Sequence, residues 1–365
     1  MSIYMAVLLC RPFGDAHEHN FDNVSRTPAV VAKYLHDGIF YAHGMTDITR
    51  GAEAVVAAGL VNTPQSVDVT YAHGGLTAVD GHPKEVYESI ANGFYYPSSP
   101  EQRSLVIGSH RRARQVYWEI DSPADLDTKW PQALASKPDL IKIFLSNSEH
   151  YTSDSHRHPV LGDGLDPALV PLITVRAHAA GLKVAAHVDT AADYHFALVG
   201  GVDEMGHLPG YGIRASSNLV TFRISDADIA LSALRHIKVQ ATAGIDVDAN
   251  TPEPDLKARQ DSQRENLTRL KAAGVPILIG SDHYGEDSLH EADYLHSLGI
   301  WSNGELLRMW SVETPQTIFP HRTIGELKPE YEASFLVLSA NPLKDWAAIH
   351  RIVNRWKQGV RVEIN

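Results

Sequence analysis

Pro276-Ile277-Leu278-Ile279-Gly280-Ser281-Asp282 is a short apolar run that closes on a carboxylate. Such a run, without clean alternation of apolar and polar residues, fits a strand covered on both faces, as in parallel sheets. Leu140–Leu145 has the same character. Further runs close on imidazoles: Lys183-Val184-Ala185-Ala186-His187, the stretch Val202–His207, and Phe13–His19 with His17-Glu18-His19 at its end. Gly38–Ala42, Val67–His73 and Lys238–Thr242 complete the set, and Met5–Cys10 leads into the first member. Met5–Cys10 is read as a buried strand rather than a signal-peptide core, because no Lys or Arg precedes it and no small-residue cleavage site follows.

Between these runs lie segments with helical character: Thr27–Asp37, Ala52–Ala58, Pro83–Ala91, Asp166–Ala180, Thr190–Val199, Asp226–Arg235 and Pro254–Ala273. Strands that alternate with helices need crossover connections and parallel pairing. Eight such units predict an α/β fold, a (β/α)8 barrel over residues 11–322. Gly304–Pro315 reads as helix, and Ser334–Leu338 and Arg351–Trp356 as short antiparallel strands. Residues 1–10 and 323–365 are accessory strands in this reading. Two long stretches fit no unit, Asn92–Gln115 and His150–Asp166, and are expected to cover the mouth of the barrel.

The chain has 365 residues, 44% hydrophobic and 21% charged, as a folded domain requires. Its formal charge of −12 makes nucleic acid and anionic membrane poor partners, and no run approaches the ~20 apolar residues of a membrane span. A cytoplasmic location is the default expectation, with a periplasmic or secreted one if a leader precedes this sequence. The single Cys10 has no partner for an internal disulfide. Histidine is abundant, 20 residues, and it is the commonest protein metal ligand.

On a strand, residues two apart face the same way, so His17 and His19 can grip one ion. An isolated H-x-H is weak evidence, and a second one at His156 and His158 reads as loop. The stronger signal is position. His17, His19, His187, His207 and Asp282 come from four strands and all sit at C-terminal edges, where barrel enzymes place catalytic residues. A hydrogen-bonded core of neutral histidines is the competing reading. Lys142 joins them from Asp139-Leu140-Ile141-Lys142-Ile143-Phe144-Leu145. Its ammonium cannot ligate a cation, whereas a CO2-derived carbamate could bridge two. A buried ion pair with Asp139 or Glu149 is the alternative, and spacing alone leaves both open.

Gly14–Asn20, Asp139–Leu145, Val184–Thr190, Gly201–His207 and Ile277–His283 together resemble the successive metal-site strands of the amidohydrolase superfamily. The tail Arg322–Trp346 is similar to the end of its imidazolonepropionase and prolidase-like branch. The resemblance spans nearly the whole chain and implies a (β/α)8 barrel with a small C-terminal β-sandwich subdomain. Only sixteen residues precede His17, so that sandwich is expected to be incomplete or the reading frame to lack its start. Glu330 and Ser334 stand where relatives usually have Gly and Asp.

The resemblance further implies two divalent ions, normally zinc: one held by His17, His19 and Asp282, the other by His187 and His207, with carbamylated Lys142 bridging. The implied chemistry is hydrolysis of a C–N bond in an amide or peptide-like small molecule by a metal-bridging hydroxide, with Asp282 as catalytic proton shuttle. Ester, lactone or organophosphate hydrolysis at the same site, and a barrel that binds metal without catalysis, are the alternatives. Asp189 is expected either to orient His187 or to cap Thr190–Val199, and His283 to point away from the site. His73, His150, Tyr151 and Tyr211 are candidate substrate contacts, with Tyr95 and Tyr96 in the mouth loops. Arg111–Arg114 reads as a solvated helix face. A homo-oligomer is compatible with everything above.

Overall fold

The computed structural model describes residues 8–151, 160–210, 212–248 and 250–364. Strand β1 (Leu8–Cys10) leads into β2 (Phe13–Glu18), β3 (Ile39–Gly44) and β4 (Asp68–Tyr71), the last three forming a parallel sheet in that order. Next in the chain come β5 (Gly75–Thr77), β6 (Tyr117–Glu119), β7 (Ile141–Phe144), β8 (Val184–His187), β9 (Glu204–Met205), β10 (Lys238–Gln240) and β11 (Ile277–Leu278). They make a second parallel sheet, ordered β11-β10-β9-β8-β7-β5-β6. Backbone hydrogen bonds join both edges of the three-stranded sheet to the second one. Ala16 N–H donates to Ile279 O at 2.8 Å, Asp282 N–H to His17 O at 2.7 Å, and Asp139 N–H to Tyr71 O at 2.8 Å.

Every residue of β2, β3, β7 and β8 is buried, which is why these runs carry no alternation. The outer helices bury Val170, Ile173 and Ala177, then Tyr194, Ala197 and Leu198, then Leu267 and Leu270 against the sheets. Their starts are set locally: Thr190 and Asp193 form a reciprocal capping box at Ala191–Gly200, and Ser225 caps Asp226–Arg235. Gly280 is required where β2 crosses close by, since a Cβ there would sit 2.7 Å from His17 N.

A third, antiparallel sheet runs β1-β12-β13-β14, with β12 (Phe335–Leu338), β13 (Ile352–Lys357) and β14 (Val360–Arg361). Lys357 pins it to the parallel core: its buried Nζ donates to Thr63 O, Ser66 O and Asp68 Oδ1 at 2.6, 2.8 and 2.6 Å. Among the described residues the accessory part is this one sheet. β1 is a strand but sits at its edge, leaving Leu9 58% exposed rather than buried. Glu330 adopts φ +71°, a conformation that a glycine would take without strain. Among the described residues no helix is long and apolar enough to cross a membrane.

Helices also form where the reading left them out, over Pro100–Ile107, Pro123–Leu134 and Ser288–Ser297. Arg111–Arg114 is no helix; it is a turn in which the Glu88 carboxylate accepts from the N–H groups of Arg111 and Arg112. Gly304–Pro315 is spanned by the helix Asn303–Arg308, a π-turn over Met309–Glu313, and the start of Thr314–Ile318.

Candidate metal centre

His17 and His19 project from β2 and its end, His187 from the end of β8, His207 two residues past β9, and Asp282 four residues past β11. The C-terminal ends of these strands meet at one cavity of about 610 Å³, lined by all five and by Lys142. The His17 ring lies tilted beside that of His207, and His207 meets His187 edge to face, with ring centroids 4.7 and 4.4 Å apart. Ligand atoms of His17, His19 and Asp282 lie within 4.8 Å of one another.

The tautomers follow from the outer hydrogen bonds. A backbone carbonyl can only accept, so His17 Nδ1–H donates to Gly206 O and His19 Nδ1–H to Thr46 O, both at 2.8 Å. The Nε2 of each neutral ring is left as a lone pair. Those two atoms stand 3.5 and 3.0 Å from Asp282 Oδ1. Burial, then the neighbouring Lys142, drives His17 well below the ordinary imidazole range, and burial, then His187, does the same at His207. Burial works against the Asp282 anion, but His17, His19 and Lys142 overrule it and hold the carboxyl below its usual range.

Asp282, in the segment that follows β11, takes a left-handed φ of +49°, and its carboxylate reaches the cluster. His283 therefore lines the same cavity instead of pointing away. Behind the cluster, Asp15 ties the two strands together: Oδ1 accepts Ser281 N–H at 2.9 Å and Oδ2 accepts Ser281 Oγ–H at 2.8 Å and Tyr34 O–H at 3.1 Å. Asp189 Oδ1 contacts His187 Nε2 at 3.0 Å, while Thr190 performs the helix capping, so the two roles fall to different residues.

Lys142 is 1% exposed and its Nζ has no hydrogen-bond partner among the described residues. Neither Asp139 nor Glu149 pairs with it: Asp139 accepts Tyr71 N–H, and Glu149 accepts Thr190 O–H. Burial, opposed by Asp282 and Glu204, lowers the amine to about 7. Gly206 makes room for it, since a Cβ there would lie 2.8 Å from Nζ.

The substrate-contact expectations fare differently. His73 does not face this cavity: its φ of +57° turns it to a separate outer pocket, where it stacks on Tyr71. Tyr151 lies among Asp121, Asp163 and Asp166 and is not among the described lining residues. Tyr211 and the second H-x-H at His156 and His158 lie outside the described residues, as does the side chain of His150. Tyr95 and Tyr96 do line the cavity. So do four residues that no sequence pattern singled out: His82, Tyr87, Asp246 and Tyr284. His82 stacks on His187 at 4.3 Å and pairs with Glu85; burial opposes its charge, but Glu85 raises it above the ordinary range. It sits in a loop with no local periodicity, which hides it from pattern reading.

No protein-family model and no curated protein matches the chain. Solved structures do. An ochratoxinase of A. niger superposes with a TM-score of 0.72 at 17% identity, covering 97% of this chain and 83% of that one. A Xaa-Pro dipeptidase with methionine bound in its active site gives 0.69 at 14% identity, covering 97% and 86%. A protein described as an amidohydrolase gives 0.68 at 19% identity, covering 98% and 87%. The chain shares the fold of these proteins. At these identities the likeness speaks to the fold alone, and the chemistry rests on the side chains.

Proposed function

We propose that this chain is a metal-dependent hydrolase that cleaves a C–N bond in amides, small peptides or related compounds. One observation carries the reading: two imidazole lone pairs and a carboxylate oxygen converge on one point, at 3.0 and 3.5 Å. Such groups repel one another unless a proton or a metal ion lies between them, and nitrogen and oxygen donors of this kind suit zinc.

The donor set fits two ions. His17, His19 and Asp282 would hold one, and His187 and His207 the other. Lys142 as a buried, unpartnered ammonium is costly; as a carbamate it would bridge the two, consistent with its orphaned Nζ. When bound, the ions would supply Lewis-acid polarisation and a water acidified towards neutrality. Asp282 would take a proton from that water and return it to the leaving nitrogen. Asp189 would orient His187, and Gly206 O and Thr46 O would fix the first two imidazoles. In this reading the two parallel sheets close as one (β/α)8 barrel over residues 11–322, with residues 1–10 and 323–365 as an accessory layer.

The cavity size suits a small molecule. Tyr87, Tyr95, Tyr96, Tyr284 and Phe144 on its wall favour a substrate with apolar or aromatic surface. The Xaa-Pro dipeptidase likeness lends weight to C–N bond chemistry. The test is a panel of dipeptides, N-acyl amino acids and matched esters with zinc-reconstituted protein. Turnover of amides that chelation abolishes is expected; turnover confined to esters would reject the C–N assignment.

A further inference from the structure

Behind the H-x-H segment lie two carboxylates that no described residue neutralises. Glu18 and Asp47 are both 0% exposed. Among the described residues, both oxygens of Asp47 and Oε1 of Glu18 lack a hydrogen-bond partner; Glu18 Oε2 accepts Asn20 N–H at 2.5 Å. Two of these orphaned oxygens, Asp47 Oδ2 and Glu18 Oε1, flank the same point beside Gly44. A methyl group placed on Gly44 would come 2.5 Å from Asp47 Oδ2 and 3.2 Å from Glu18 Oε1. The charges acting on this space are negative as well: Asp22 repels both groups, Asp15 repels Glu18, and Glu18 repels Asp47.

Uncompensated buried carboxylates are too costly to persist without a partner. We infer that Glu18 and Asp47 hold a hard, oxygen-preferring cation of the calcium class, separate from the imidazole-lined centre in the cavity. One dication matches the two charges, and an all-oxygen donor set selects calcium over zinc. The placement gives it work to do. Glu18 stands between His17 and His19, and Asp47 follows Thr46, whose carbonyl fixes the His19 tautomer. A cation there braces the two segments that aim the first imidazoles. This inference goes beyond the hydrolase reading and does not depend on it. A proton shared between the two carboxyl groups is the competing occupant.

The experiment is a terbium luminescence titration of the zinc-loaded protein, using Tyr71, which feels both carboxylates, as sensitiser. The expected result is one saturable site per chain, displaced by calcium but not by zinc. Affinity should fall at least tenfold in Asp47→Asn and in Glu18→Gln, and be retained in His17→Ala. Calcium should raise the melting temperature of the parent. Absence of saturable binding in the parent, or binding unchanged in both carboxamide variants, overturns the inference. So does a parent without calcium response alongside an Asp47→Asn variant that melts as high, which assigns the space to a shared proton. Should Asp47→Asn fail to fold, the parent titration and Glu18→Gln decide.

Discussion

His19 Nε2 stands 3.0 Å from Asp282 Oδ1 while Nδ1 of the same ring donates to Thr46 O at 2.8 Å. The outer bond leaves the inner nitrogen without a proton in the neutral ring. In that form a lone pair faces Asp282, an arrangement that a metal ion would satisfy. His17 repeats the pattern through Gly206 O. The proposed activity descends from this pair of relationships.

Asp282→Asn keeps the size of the side chain and removes its capacity to carry a proton. Turnover should fall by about 10²–10⁴, the range expected for general acid–base catalysis, with circular dichroism unchanged. A variant as active as the parent would reject the shuttle role.

Lys142→Ala should lose at least about 100-fold in turnover, the scale of losing one preorganised catalytic group, and bind fewer ions. Short-chain carboxylates with added zinc should restore part of the activity. In metal-free protein, Lys142→Met should melt no lower than the parent, because it replaces an unpartnered buried amine with a thioether of similar length. Undiminished metal content in Lys142→Ala would speak against the bridge.

Gly206→Ala places a Cβ 2.8 Å from Lys142 Nζ and 2.9 Å from Ala186 O. Overpacking of this kind costs about 1–3 kcal/mol, and here it presses on the amine itself. Reduced thermal stability and reduced metal content are expected together. Parent-like values for both would show that the space above Lys142 is not tight.

Glu291 is fully buried and its carboxyl is raised to about 8, chiefly by burial, despite N–H donors from Ala243 and Gly244. The folded chain therefore binds more protons there than the unfolded chain, so this group's contribution to stability falls as pH rises from about 4.5 to 8. Glu291→Gln should flatten that part of the slope in melting temperature against pH. An unchanged slope would refute the assignment.

Much of this architecture was legible because barrel strands announce themselves chemically. Runs such as Ala185-Ala186-His187 or Leu278-Ile279-Gly280 place apolar bulk in the core and reactive groups at the rim. Four imidazoles and Asp282 could be read that way. What escaped depended on backbone geometry without a local signature. The left-handed φ at His73 and at Asp282, neither of them glycine, sent His73 outward and His283 inward. β5 and β6, three residues each, are too short for any period to register. Pro123–Leu134 carries Pro131 in its interior, which argues against helix in isolation. The orphaned state of Lys142, Glu18 and Asp47 is a property of three-dimensional neighbours, so sequence left it open.

Metal analysis of the intact protein after reconstitution with zinc and exhaustive dialysis tests the central claim most directly. The account predicts about two retained zinc ions per chain, and loss of zinc in His17→Ala and His19→Ala. A parent chain that emerges with no bound zinc would contradict it.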